Sequence, residues 1–193
     1  HLSDGRALIG IGAGHAQAEF ELLGVDFHSR GKALDTGVPE LAKLLENEFV
    51  DGFGARPLPT QSPRPPIWVA GSSPAAIKRA ARIADGWLPQ GPSDAAMVNM
   101  LNEERARVGR IPSTNDGFMI GHITPFLYVG KPSFDVGEAT LSGSAQSIAE
   151  RILEGTAAGV NQLQVRFKAQ SCDELCDQIA AFANDVAPLV TNI

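Results

Sequence analysis

Three small residues, Gly71, Ser72 and Ser73, lie between an apolar run and a proline that opens a stretch of helix-forming residues. The apolar run, residues 67–70, is typical of a buried strand. Ser73 suits the N-cap of the following helix, and Pro74 suits its first position. A helix that begins directly after a buried strand presents free N–H groups and the positive end of its dipole, which suits a phosphate. The same residues also fit a capped helix without a ligand, so the residues alone leave both interpretations open.

A second turn, made by Gly12, Ala13 and Gly14, follows the apolar residues 7–11 and precedes a predicted helix. The dinucleotide fingerprint G-x-G-x-x-G would need a glycine where His15 stands, and no acidic residue closes a second strand about 20 residues further on, which disfavours a dinucleotide. Glycines instead let a backbone approach a flat ligand beyond the end of a strand. A tight turn without a ligand is the alternative. His15 could donate a hydrogen bond or act as a general acid or base, or it could only cap the turn.

Arg166 is the third candidate, because it lies late in the last predicted strand, residues 162–167. There it could reach a phosphate or a carboxylate tail beyond the end of the strand. An ion pair with a neighbouring acid is the alternative.

Composition restricts the class of protein. The chain has 193 residues, 44% of them hydrophobic and 20% charged, which is ordinary for one globular domain. The net charge of −6 disfavours nucleic acid and anionic membranes as partners, and no apolar run approaches the ~20 residues of a membrane span. Cys172 and Cys176 lack the C-x-x-C spacing and a Cys/His cluster, so we predict free thiols, no metal site and a reducing, cytoplasmic location.

The order of elements predicts an α/β fold. Strands alternate with helices about five times without a strong hairpin signal, which is the pattern of a parallel sheet with helical crossovers. Two architectures fit, a doubly wound open sheet and part of an eight-fold β/α barrel. We further expect Pro39 to break or restart a helix over residues 29–47, Ser93 to cap a helix that extends to Val108, and residues 131–141 to form a loop.

Three segments resemble, in order and spacing, the bacterial luciferase-like family of flavin- and deazaflavin-dependent oxidoreductases. They are LSDGRALIGIGAGHAQAEFELLGVDFHSRGKALD near the start, PPIWVAGSSPAAIKRAARIADGWLP in the middle and GSAQSIAERILEGTAAGVNQLQVRF near the end. Together they cover a little under half of the chain. The coupled set is specific, whereas each segment alone would be weak.

The resemblance implies a (β/α)8 TIM-type barrel, of which this chain holds roughly the last five β/α units as a single domain over residues 1–193. Ala7–Gly12 would form the fourth strand, and the three strands before it would be absent. An incomplete barrel leaves its first and last strands with unpaired edges. Either the absent strands belong to a longer enzyme, which is our expectation, or two chains pair across those edges as a homodimer.

The resemblance also implies a chemistry. Members typically bind FMN or coenzyme F-420, and they move a hydride or activate oxygen on a small organic substrate. The turn at residues 12–14 would border the flavin ring system, and the turn at residues 71–73 would take the cofactor phosphate. Trp87, on the expected sixth strand, would also bind the cofactor, and His15 would be the catalytic residue, although the family often has an aromatic residue there. The alternative is a non-catalytic module that binds a flavin or phosphate ligand.

Overall fold

The computed structural model of the chain describes residues 3–110 and 117–190. Six strands and six α-helices follow one another in these ranges: β1 (Ile9–Ile11), α1 (Gln17–Leu22), α2 (Arg30–Leu45), β2 (Ile67–Ala70), α3 (Pro74–Ile83), β3 (Gly86–Leu88), α4 (Ala95–Arg107), β4 (Met119–Val129), β5 (Leu141–Gly143), α5 (Ala145–Gly155), β6 (Gln162–Phe167) and α6 (Cys172–Ala181). Short 3-10 turns at Phe27–Ser29 and Ala187–Leu189 and a π-helical turn at Phe182–Val186 complete the list. Within the described ranges, no helix has both the length and the apolar character to cross a membrane.

The residues cluster into two compact units. The first holds residues 3–88, 100–110 and 117–119, and the second holds residues 89–99 and 120–190. The expectation of a single domain over residues 1–193 stays a prediction.

The first unit is built on three parallel strands in the order β1–β2–β3. Ile67 and Val69 of β2 are completely buried, and Trp87 of β3 lies beside Val69 in the register. The apolar face of α3 provides the opposite side of this core, with Ile77 and Ala80 equally buried. This arrangement confirms the predicted strand, turn and helix over residues 67–83, and it anchors both ends of the turn to the core.

Two contacts fix β3 against β2. Asp85 receives hydrogen bonds from the Ile67 N–H, at 2.8 Å, and from the guanidinium of Arg64. Although burial opposes this, the hydrogen bonds from Arg64 and Ile67 hold the pKa of the Asp85 carboxyl below its ordinary value. Gly86 then leaves room for Trp68, because a Cβ at Gly86 would lie 2.8 Å from the indole Nε1. Asp85 and Gly86 therefore set how closely the two strands pack.

The helix α2 runs without a break from Arg30 to Leu45, so the prediction that Pro39 would interrupt it is wrong. Val38, beside the proline, is 1% exposed. A second anchor lies one turn earlier, where Asp35 of α2 pairs with Arg79 of α3 at 2.7 Å. These tertiary contacts outweigh the local cost of a proline inside a helix.

The second unit is built on β4, which pairs in parallel with β5 on one side and with β6 on the other. Its pairing with β6 shifts register between Ile123 and Phe126, next to Pro125, which has no N–H to donate to a neighbouring strand. Helix α5 packs Ile148 and Ile152 against Leu127 in the core. The strand β5 was not predicted, because residues 131–141 were expected to form a loop. At three residues, β5 is too short to show the alternation of apolar and polar residues that indicates a strand.

A buried histidine, His122, contacts Ser93, the residue predicted to cap α4. The imidazole Nδ1 of His122 accepts the backbone N–H of Ser93 at 3.2 Å and lies 3.0 Å from the Ser93 hydroxyl. Ser93 therefore does not cap α4, and Asp94 does so instead, by accepting the N–H of Met97 at 2.8 Å. Since Nδ1 accepts, the proton of the neutral ring belongs on Nε2. Burial lowers the pKa of His122 below its ordinary value.

This buried histidine predicts a loss of stability in mild acid. Because the pKa of His122 is lower in the folded chain than in the unfolded one, where it is about 6.5, the unfolded chain binds the proton first as the pH falls. The free energy of unfolding should be insensitive to this group above about pH 6.5 and should decrease as the pH falls below that value. Urea titrations at several pH values would measure it. His122→Gln should flatten the pH dependence of the free energy of unfolding. His28→Gln, at an exposed histidine, should leave that dependence unchanged. An equal slope in both variants would contradict the role given to His122.

Candidate functional site

The turn after β2 requires a glycine. Gly71 has a φ of +128°, in the region that L side chains rarely adopt. A Cβ at this position would lie 2.8 Å from the Cβ of Ala76, which belongs to the first turns of α3. The backbone therefore passes closer to the start of α3 than any side chain would permit.

Both backbone groups of Gly71 are held by β3. Its N–H donates to the carbonyl of Leu88 at 2.9 Å, and its carbonyl accepts from the indole Nε1 of Trp87 at 2.8 Å. The Trp87 side chain is 0% exposed. Trp87 was predicted to bind the cofactor. In the structure, its indole N–H donates to the turn. The Gly71 N–H, which the sequence suggested as an anion donor, is already occupied.

The start of α3 nevertheless leaves donors available. The hydroxyl of Ser73 accepts the N–H of Ala76 at 3.2 Å, as predicted for an N-cap, and it keeps its own proton to donate. Pro74 has no N–H to satisfy. Among the described residues, the N–H groups of Ser73 and Ala75 have no hydrogen-bond partner. The first turn holds no acidic residue that would compete for them, so this helix start can bind an anion.

The second glycine turn lies beside the first. Strands β1 and β2 are parallel neighbours, with Ile11 opposite Val69, so both chains leave the sheet at the same edge. A Cβ at Gly12 would be 3.8 Å from the Cβ of Ala70, an ordinary contact. Gly14 has a φ of +79°, and a Cβ there would lie 2.9 Å from the ring of Phe20. The structure therefore places Gly12 beside Ala70, the residue before the second turn. That the two turns form one site, as the family resemblance implies, stays a prediction.

His15 follows this turn and is exposed. The N-cap of α1 is Ala16, and no side chain caps that helix, so a capping role for His15 is not observed. Among the described residues, no hydrogen bond or ion pair engages the imidazole. Its two nitrogens are available to a ligand at the glycine turn.

Comparison with known proteins identifies the family. Residues 1–130 match the model of luciferase-like monooxygenases, a stretch that contains both glycine turns and about two thirds of the chain. The chain belongs to the luciferase-like monooxygenase family. Among curated relatives, this luciferase-like chain is 33% identical over 117 residues to an uncharacterised protein of Mycobacterium tuberculosis. That match covers 53% of this chain and 40% of the relative, so the chain spans well under two thirds of the relatives it matches.

Solved structures share the fold of the luciferase-like chain. The monooxygenase RslO1 from Streptomyces bottropensis superposes with a TM-score of 0.72 at 19% identity, over 97% of this chain and 70% of the other. An F420-dependent secondary alcohol dehydrogenase, solved with an F420–acetone adduct, gives 0.71 at 14% identity, over 98% and 71%. The riboflavin lyase RcaE, solved with modified FMN and riboflavin, gives 0.64 at 14% identity, over 92% and 61%. The fold is thus a parallel α/β fold similar to that of the luciferase-like TIM-barrel proteins.

The glycine at position 71 predicts a sharp contrast between two substitutions in this luciferase-like chain. Gly71→Ala should lower the free energy of unfolding by about 1–3 kcal/mol, because the backbone conformation is strained for alanine and the new methyl meets Ala76. Gly10→Ala is the matched control, since nothing lies within 4 Å of a Cβ at Gly10, and it should change stability by less than about 1 kcal/mol. Urea denaturation of both variants measures the difference. Equal effects would show that the turn is not constrained as described.

Proposed function

We propose that this chain is the cofactor-holding part of a flavin- or deazaflavin-dependent oxidoreductase that transfers a hydride to, or introduces oxygen into, a small organic substrate. The observation that carries the proposal is the turn at residues 71–73, which a fully buried indole and a strand carbonyl hold rigid beside a helix start with unpaired N–H groups. Membership of the luciferase-like family supports the same reaction class.

We assign the cofactor phosphate to the start of α3. The N–H groups of Ser73 and Ala75 and the Ser73 hydroxyl supply three donors, and the dipole of a ten-residue helix adds to them. Because the turn is fixed by Trp87 and Leu88, these donors do not need to be ordered when the phosphate binds. FMN and coenzyme F-420 both carry a phosphate, and two fold neighbours were solved with an F420–acetone adduct and with modified FMN.

The ring system of the cofactor is assigned to the first glycine turn. Gly10 and Gly12 point to one face of β1 and are exposed, so that face is flat and has no side chain of its own. A planar ring can lie against such a backbone. The bound flavin or deazaflavin supplies the redox chemistry.

The residues of the chain would then have distinct tasks. His15, next to the ring site with an unengaged imidazole, would donate or accept the proton that accompanies reaction of the substrate. Trp87 would act indirectly, as a positioning residue that holds the carbonyl of Gly71. The exposed free thiols of Cys172 and Cys176 fit a reducing cytoplasm as the location.

Ser73→Ala tests the phosphate assignment against a control that the chain itself offers. Ser73 and Ser144 are both N-caps, and each accepts the N–H three residues on at 3.2 Å. Both alanine variants should lose about 1 kcal/mol of stability. Only Ser73→Ala should weaken the binding of FMN, by about tenfold, because one hydroxyl donor to the phosphate is lost. Titration by flavin fluorescence, with riboflavin as the ligand without phosphate, measures the effect.

Three outcomes would count against the proposal. The first is the absence of measurable affinity for FMN and for coenzyme F-420. The second is an equal loss of FMN affinity in both serine variants. The third is an equal loss of affinity for FMN and for riboflavin in Ser73→Ala. Stoichiometric binding without turnover of any substrate would favour the non-catalytic binding module instead.

A further inference from the structure

The strand β6 has two faces of opposite character. Leu163, Val165 and Phe167 pack against the core of the second unit. The alternate residues therefore point to the opposite face, and all of them are polar: Gln162, Gln164, Arg166 and, just after the strand, Lys168. A strand that presents two cations on one face within a chain of net charge −6 needs an explanation.

Both cations lie over one aromatic ring. The guanidinium carbon of Arg166 is 4.6 Å from the ring centroid of Phe126, and the ammonium nitrogen of Lys168 is 4.3 Å from it. Phe126 belongs to β4 and is 37% exposed. The ring attracts each cation through its negative face, but it cannot neutralise them. Among the described residues, neither Arg166 nor Lys168 forms an ion pair.

The guanidinium of Arg166 is held with one edge free. Its Nε and Nη2 both donate to the carbonyl of Thr124, at 3.1 and 2.8 Å. The other edge, formed by Nη1 and the second Nη2 proton, has no partner among the described residues and presents two parallel N–H bonds. Such an edge matches two oxygens of a carboxylate or phosphate. Because the carbonyl of Thr124 and the ring of Phe126 already fix the guanidinium, little side-chain entropy remains to be lost on binding.

Lys168 is fixed by its backbone as well. Its N–H donates to the carbonyl of Leu127 at 3.0 Å, which extends the pairing of β6 with β4 by one residue. The ammonium lies beside the ring of Phe126, and its N–H donors have no hydrogen-bond partner among the described residues.

We propose that Phe126, Arg166 and Lys168 form a second anion-binding site, which takes the carboxylate or phosphate group of an organic ligand, with the Arg166 edge holding two oxygens and Lys168 supplying the second charge. Under this proposal Arg166 binds an external phosphate or carboxylate, the first of its two sequence interpretations, rather than pairing with a neighbouring acid of the chain. It does not depend on whether the start of α3 binds a phosphate, because its residues and its test are separate.

Inorganic phosphate is the probe for the site. NMR of the whole chain should show the Nε–Hε signal of Arg166 shifting as phosphate is added, and the apparent Kd should rise with added salt. Arg166→Gln should weaken phosphate binding by about tenfold or more, since a bidentate charge-assisted contact is lost. The NMR signals of the other residues would report this binding. Lys168→Gln should weaken it by a smaller factor. Arg151→Gln, at an exposed arginine of α5, should have no effect.

Lys168→Gln guards against a misfolded arginine variant, because it leaves the contact between Arg166 and the Thr124 carbonyl intact. The proposal is overturned if the Arg166 signal does not move with phosphate. It is equally overturned if folded Lys168→Gln and Arg166→Gln both bind phosphate as the unaltered chain does.

A second measurement identifies the source of the anion. If FMN places its one phosphate here rather than at the start of α3, the double variant Arg166→Gln/Lys168→Gln should lose affinity for FMN while keeping affinity for riboflavin, and Ser73→Ala should leave FMN affinity unchanged. If the anion belongs to the substrate, the double variant should keep FMN affinity and lose affinity for benzoate, used as a simple organic carboxylate. Unchanged affinity for phosphate, FMN and benzoate in the double variant would reject the site.

Discussion

The hydrogen bond from the Trp87 indole to the Gly71 carbonyl is the contact on which the candidate cofactor site depends. A buried N–H that loses its acceptor costs about 1–3 kcal/mol, so the turn cannot relax without leaving both groups unpaired. The Gly71 N–H is fixed in the same way by Leu88. The end of β3 thereby sets the conformation of a turn 16 residues earlier, and that turn sets where α3 begins and where its free donors point.

Local signals were sufficient for the elements around this turn. The sequence of a buried strand, a serine cap and a first-position proline predicted β2 and α3 because each signal acts within a few residues. The occupied N–H of Gly71 and the role of Trp87 could not be predicted in this way. They depend on the register that places Val69 beside Trp87, which no local pattern specifies. Arg166 was found from its position in a strand, whereas Phe126 was missed because only the pairing of β4 with β6 brings the two together.

The two wrong predictions have the same origin. Pro39 was expected to break a helix and Ser93 to cap one, and both expectations rest on sound local preferences. In the fold, the burial of Val38 supports a continuous α2, and the imidazole of His122 takes the hydroxyl of Ser93 as its neighbour. Tertiary partners, distant in sequence, change the outcome in each case.

Ion pairs join several elements of the first unit. Hydrogen bonds from Arg107 and Arg82 hold the pKa of Glu104 at about 2. Similar pairs involve Arg64 with Asp85 and Arg79 with Asp35. These arginines serve the fold. Arg166 and Lys168 lie over the ring of Phe126 and form no ion pair with any described residue, and their charge is the reason that we propose an anion there.

The glycines of the first unit differ in how freely they can vary. Gly71 and Gly86 are closed to substitution, because a methyl group would meet Ala76 in one case and Trp68 in the other. Gly10 is the reverse case, with open space where its side chain would begin. A single codon change there adds bulk to the flat face of β1 without disturbing the core. If the cofactor ring lies on this face as we propose, selection or a protein engineer can therefore adjust the space beside it at position 10 while the neighbouring turn stays unchanged.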